Sequence, residues 1–251
     1  MLLQPVGSGQ YDSMQAQLQR RFADGFSLSV NYTLGRAMSD NENSSFTPAV
    51  QARAYMDRNF APTSTDRRHN LGITNVWQLP LGKGRRWLND QGVLSHVLGG
   101  WQINNMISVM TGVPFSVLSD DTSLNLPGST QTADQVKPVR KLGGVGRTTP
   151  YYDPTAFAEV TDARFGNTGY NILRGPGLFN WDFGLTREFS LSQGLRLQFR
   201  VESFNFTNTP HLGLPDNFVG DDEFMTITSV QDLGREGIDE RQFRLGLRVV
   251  F

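Results

Sequence analysis

Several things are missing from this 251-residue chain, and each absence closes off a class of function. Without cysteine there is no disulfide framework, no thiolate metal site and no Cys nucleophile. The three histidines, His69, His96 and His211, lie in separate segments without metal-ligand spacing, which speaks against a zinc centre. There is no GxSxG, no HExxH and no Walker motif; Gly82-Lys83-Gly84-Arg85-Arg86 lacks both the phosphate-loop spacing and the Ser or Thr after Lys. No stretch of 18 apolar residues exists, so no helix can span a bilayer, although strands that span one hide their hydrophobicity in alternation. A net charge of −1 argues against a polyanion-binding surface and hence against nucleic acid as a partner. No cofactor is implied.

What the chain does have is alternation with a period of two. Its last twelve residues, ERQFRLGLRVVF, set Phe243, Leu245, Leu247, Val249 and Phe251 on one parity and Gln242, Arg244, Gly246 and Arg248 on the other. In a strand those sets lie on opposite faces. An apolar face backed by arginines and ending on an aromatic suits a wall between lipid and water, as in bacterial outer-membrane barrels. The terminal Phe251, assisted by Phe243 and Leu247, resembles the assembly signal that such proteins present to the barrel-assembly machinery. The lack of cysteine is in keeping with passage through an oxidising periplasm.

The same pattern recurs in segments of about nine to eleven residues, the length of tilted membrane strands. Met14, Ala16, Leu18 and Phe22 oppose Ser13, Gln15, Gln17, Gln19 and Arg21; after Ala23-Asp24-Gly25, Phe26, Leu28, Val30, Tyr32 and Leu34 oppose Ser27, Ser29, Asn31, Thr33 and Gly35. A third strand is expected from about Arg68 to Leu79, its outward row broken by Asn75. A fourth lies near Trp101–Val109. The fifth carries Phe179, Trp181, Phe183, Leu185 and Phe189 outward, interrupted by Arg187 where it could reach headgroups. The sixth sets Leu195, Leu197, Phe199 and Val201 against Arg196, Gln198, Arg200 and Glu202. The inward residues Arg196, Arg200, Glu202, Arg244 and Arg248 are the candidates to line a lumen.

Between strands, three long loops are expected at about 37–65, 112–177 and 205–239, alternating with short turns. Barrels with short periplasmic turns and long extracellular loops have this rhythm, and it leaves Phe251 on the periplasmic side. The fold expected is all-β: an antiparallel transmembrane β-barrel segment of about seven strands, an odd number that fits part of a larger barrel. MLLQPVGSGQ offers no export signal, which on the barrel reading makes residues 1–251 the C-terminal piece of something larger. Alternation alone also allows a soluble or secreted β-sandwich binding module, though loops of roughly 30 to 65 residues are long for one. An outer-membrane barrel enzyme is a further alternative, opposed by the scattered histidines.

Other motifs have plain readings beside chemical ones. Asp66-Arg67-Arg68-His69 reads as a rim cluster opening a strand. Asp120-Asp121 and Asp221-Asp222-Glu223 read as solvated loop acids, lacking the regular spacing of a calcium loop. Trp77, Trp87, Trp101, Trp181 and Tyr32 read as interfacial girdle residues.

In order, YDSMQAQLQRRFADGFSLSVNYTLGRAMSD, DRRHNLGITNVWQLPLGKGRRW, GGWQINNMISVMTGVPFSV, FGNTGYNILRGPGLFNWDFGLTREFSL and LRLQFRVESFNFTNTPHLGLP resemble the C-terminal barrel of TonB-dependent receptors, most nearly the Oar-like subfamily. The resemblance implies a share of a 22-stranded barrel with a plugged lumen. It implies residence in the outer membrane of a Gram-negative bacterium, contact with its lipid, and uptake of an unknown solute rather than catalysis. The family's plug, through which the TonB system acts, and its TonB box have no counterpart within these residues.

Overall fold

In the computed structural model, residues 7–41, 53–89, 92–120, 124, 130–192, 194–231 and 240–251 are described. Seven long strands dominate them: β1 Gly9–Ala23, β2 Phe26–Ser39, β3 His69–Gln78, β4 Trp101–Met110, β5 Leu178–Ser192, β6 Leu195–Phe204 and β7 Gln242–Val250. They form one antiparallel sheet in chain order, a pure meander, with Ala61–Pro62 adding a short pairing to the end of β2. The sheet is open. Among the described residues β1 and β7 each pair on one side only.

Turn chemistry explains the tightest connection. Asp24 and Gly25 sit at φ 53° and 79°, the positive values that a two-residue hairpin turn demands. A register shift between Arg20 and Ala23 marks a bulge just before that turn.

Because directly opposed residues share a face, the register tests the alternation across the whole sheet. Phe26, Trp77, Ile103, Leu185, Val201 and Leu245 form one unbroken row over six strands. Val30, Ile73, Ile107 and Trp181 form another. On the opposite face Ser27, Val76, Asn104, Gly184, Glu202 and Arg244 line up. The face called outward from sequence is therefore continuous. Its polar break at Asn75 has an internal solution: Asn75 and Asn105 are opposed, the Asn105 amide donates to Asn75 Oδ1 at 2.9 Å, and Trp181 Nε1 donates to Asn105 Oδ1 at 2.9 Å. The three side chains satisfy one another where few other partners are at hand.

Among the described residues no second sheet covers this apolar face. Of the fully buried hydrophobic residues only Leu178 belongs to a long strand, while Met14, Leu18, Trp77, Leu245 and Leu247 are exposed. A β-sandwich would bury these side chains under a second sheet. No such layer exists among the described residues.

The packed core lies elsewhere, in the long connections. Phe115, Val117, Ala133, Tyr151, Tyr152, Ala156, Phe157 and Leu173 from residues 111–177 pack with Val219, Met225 and Ile227 from residues 205–241. Two small strand pairs brace it, Pro114–Phe115 with Leu173–Arg174 and Asp134–Gln135 with Phe157–Ala158. The bridges Leu118 to Phe218 and Gly146 to Ile227 join the two connections into one cap. The connections expected as long loops at about 112–177 and 205–239 thus carry a folded body that the sequence reading did not anticipate. The first loop is also shorter than expected: β2 continues through Ala37 to Ser39, because Met38 and Ser39 find partners in Pro62 and Ala61. Most of 42–52, 121–129 and 232–239 lies outside the described residues, Asp121 included.

Candidate functional site

The polar face of the sheet and the cap above it are the parts able to meet a solute. The five lumen candidates, on β6 and β7, fall on this face. Arg196 Nη1 donates to Glu188 Oε1 at 2.9 Å across the β5–β6 pair. Arg200 forms an ion pair with Glu202 on the same strand. Arg244 is opposite Glu202 and places its guanidinium 4.8 Å from the centre of the Phe204 ring. Arg248 is opposite Gln198. Near the short-turn end of β3–β6 a cavity of about 230 Å³ is lined by Gln78, Arg85, Gln102, Thr186, Glu188 and Gln198 among others. Arg85 reaches it by donating to Gln78 Oε1 at 3.2 Å. The surface is polar and charged, with carboxylates neutralising part of an arginine ladder. It offers hydrogen bonds and charge.

Sequence order does not reveal the joint between sheet and cap. Asp66, almost wholly buried, accepts from the Ala37 backbone N–H at 2.7 Å and pairs with the Arg174 guanidinium, 108 residues away. Arg174 also donates to the carbonyls of Asp66 and Gly112, both at 3.1 Å. Arg67 donates to the Thr111 carbonyl at 2.9 Å, and the His69 N–H to Thr111 Oγ1 at 3.1 Å. The His69 ring hydrogen-bonds to the Tyr32 hydroxyl at 2.8 Å. The rim cluster therefore fastens three strand ends and two loops. Within the cap, Arg164 grips Asp134 through both nitrogens, at 2.9 and 2.5 Å, and this hydrogen bonding holds the Asp134 carboxyl below its ordinary range. Burial pushes the Tyr170 hydroxyl up to about 12; it donates to the Thr130 carbonyl at 2.6 Å.

The remaining candidates are scattered. His96 lies in a short helix, and His211 is buried with Nε2 3.1 Å from the Phe179 carbonyl. Among the described residues no group of three His, Asp or Glu could hold a metal ion. Glu223 pairs with Arg147 at 3.2 Å. Trp77 and Trp101 stand at the short-turn ends of their strands, and Trp87 lies in the connection between them, as a girdle requires. Trp181 departs from that reading: it stands within the sheet, bonded to Asn105 and edge-on to Phe206 at 5.0 Å. Arg187 departs too. Its guanidinium, expected at headgroups, donates to the carbonyls of His96 and Val97 and is used up locally. Phe243 and Leu247 stand on the edge strand's apolar face and Phe251 follows its last residue, Val250; all three are exposed.

A family model described as an outer membrane beta barrel domain matches residues 2–244. The chain belongs to that family. No curated protein and no solved structure matches it. As an outer-membrane barrel domain, its uncovered apolar face is the lipid face, and the soluble-sandwich alternative falls away. Short turns at one end of the sheet and a folded cap at the other match the general plan of such barrels, in which short turns face the periplasm and long connections face outward.

Proposed function

We propose that these seven strands are an arc of a TonB-dependent receptor of the Oar-like kind, a transporter rather than an enzyme, in whose 22-stranded, plugged barrel a solute is bound and then passed inward. The observation that carries the reading is the pair of unfilled edges. In hydrocarbon each unpaired backbone N–H or C=O costs several kcal/mol, so β1 and β7 call for neighbouring strands, and a barrel much wider than seven strands has room for a plug. The ordered resemblance of five long segments to that receptor family supports it. So does the arginine-rich inner wall, suited to hydrogen-bonding a plug or a polar solute. The TonB system would act only through the plug, which is expected outside these strands.

In this reading Phe251, with Phe243 and Leu247 on the same face, is the signal docked by the assembly machinery through strand addition. Deleting Phe251 should then cut the amount reaching the outer membrane while leaving refolding into detergent largely intact. Unchanged surface abundance would leave the residue a packing role alone. The plug is tested by conductance. The intact protein inserted into a planar bilayer should be electrically silent and should open in steps when urea unfolds the plug. Steady ohmic conductance without denaturant would overturn the receptor reading in favour of an open pore.

A further inference from the structure

The connection between β3 and β4 contains the one α-helix among the described residues, α1 Val93–Leu98, and its polarity is inverted. Ser95 is buried, whereas Val93 is 79% exposed, Leu94 64%, Val97 55% and Leu98 42%. Six residues are far too few for a helix to persist unaided in water. Three contacts hold it against the sheet. Trp101 Nε1 donates to the Val97 carbonyl at 3.0 Å, Arg187 donates to the same carbonyl at 2.5 Å, and Arg187 also donates to the His96 carbonyl. These are carbonyls that the end of a helix leaves unpaired, and a cation suits that end. Behind the helix Gly82 and Gly99 pack backbone to backbone: a Cβ on Gly82 would lie 2.7 Å from Gly99 Cα.

The position of the clamp decides which side α1 occupies. Trp101 and Arg187 are opposed to each other, and Arg187 is opposed to Phe199, which is opposed to Leu247, all on the lipid face. The helix therefore lies against the outside of the barrel at its periplasmic end, continuous with the lipid-facing row above it. Beside it Trp87 is exposed, with the Arg86 guanidinium 5.5 Å from its ring centre, and Lys83 is exposed in the same turn. Apolar side chains next to an indole and two cations have the composition of an interfacial segment. We propose that α1 and the 82–87 turn form a lipid-binding foot, seated at the headgroup boundary of the periplasmic leaflet. Val93, Leu94, Val97 and Leu98 would reach the acyl region, with Lys83 and Arg86 at anionic phospholipid headgroups. The inference rests on the outer-membrane placement of the sheet.

The absence of cysteine makes the test direct. The full receptor would carry Val97→Cys or, as a control for the barrel wall, Leu197→Cys, each labelled with an environment-sensitive fluorophore. Each would be placed in vesicles of phosphatidylethanolamine and phosphatidylglycerol containing nitroxide lipids. Both labels should be quenched by the lipids, position 97 most by nitroxides near the headgroup. Lys83→Gln with Arg86→Gln should weaken quenching at 97 when phosphatidylglycerol is present and change nothing at 197. If 197 is lipid-quenched while 97 is quenched only by aqueous iodide, the foot is overturned, and α1 instead faces water or a periplasmic protein. If neither label meets lipid, the barrel placement itself has failed.

Discussion

Removing the Asp66 carboxylate tests how the cap is fastened. Asp66→Ala takes away the acceptor of the Ala37 N–H and the partner of Arg174 in one step. Breaking a buried ion pair from one side costs about 3–5 kcal/mol, most of it the charge left behind. Here the Arg174 side chain keeps 34% of its exposure and can recover some hydration, so about 2–4 kcal/mol is the reasonable share. At 1.36 kcal/mol per decade that multiplies the opening equilibrium of the cap by roughly 30- to 900-fold. Strands β2–β6 have their own ladder bonds and should remain intact. Limited proteolysis of the protein in outer-membrane vesicles reads the cap, while heat-modifiable migration on gels reads the barrel. The expected result is faster cleavage within residues 111–177 with unchanged barrel migration. Arg174→Ala in the same background should add little, because the stranded charge is then gone. Cleavage within threefold of the parent, or single effects that simply add, would refute the claim that this pair fastens cap to sheet.

Three other outcomes follow from the same geometry. Val30→Arg on the lipid face should cost roughly 2–4 kcal/mol in folding into vesicles, and Asn31→Arg on the inner face much less; equal penalties would undo the assignment of faces. Asp134 has a depressed carboxyl, so its contribution is present above the ordinary carboxylate value and lost as pH falls through the lower folded value. The cap should therefore loosen to protease as pH drops below about 4, and Asp134→Asn should flatten that part of the profile. Tyr170 has the opposite sign: its raised value means stability is full below the ordinary tyrosine value near 10 and falls as pH climbs towards about 12, an alkaline loss that Tyr170→Phe should remove.

The strands were legible because a membrane wall imposes one rule at every position. Alternation in Phe26–Leu34 or Leu195–Val201 reads without knowledge of neighbours, and the register then joins the faces. Where the rule breaks, sequence could see the break and not its remedy. Asn75 looked like a flaw in a strand until Asn105 supplied its partner from the next strand, with Trp181 donating to Asn105 in turn. Arg187 looked free to reach headgroups because α1 is too short to show a helical period in VLSHVL. The cap was opaque for a different reason. Its apolar residues, from Phe115 to Ile227, sit on mostly irregular backbone with no period to detect, and pairs such as Asp66 and Arg174 are separated by two strands and most of the 111–177 connection.

The account stands on one face of the sheet touching lipid and the other touching water, and a cysteine scan of β2 measures that directly in a chain with no cysteine of its own. Single substitutions from Phe26 to Gly35 would carry a nitroxide label in the protein inserted in outer-membrane vesicles. Accessibility to oxygen, which concentrates in lipid, and to an aqueous nickel chelate would be read at each position. Oxygen maxima at 26, 28, 30, 32 and 34 with chelate maxima at 27, 29, 31, 33 and 35 are the predicted result. Uniform accessibility, or the opposite phase, would contradict the barrel wall described here.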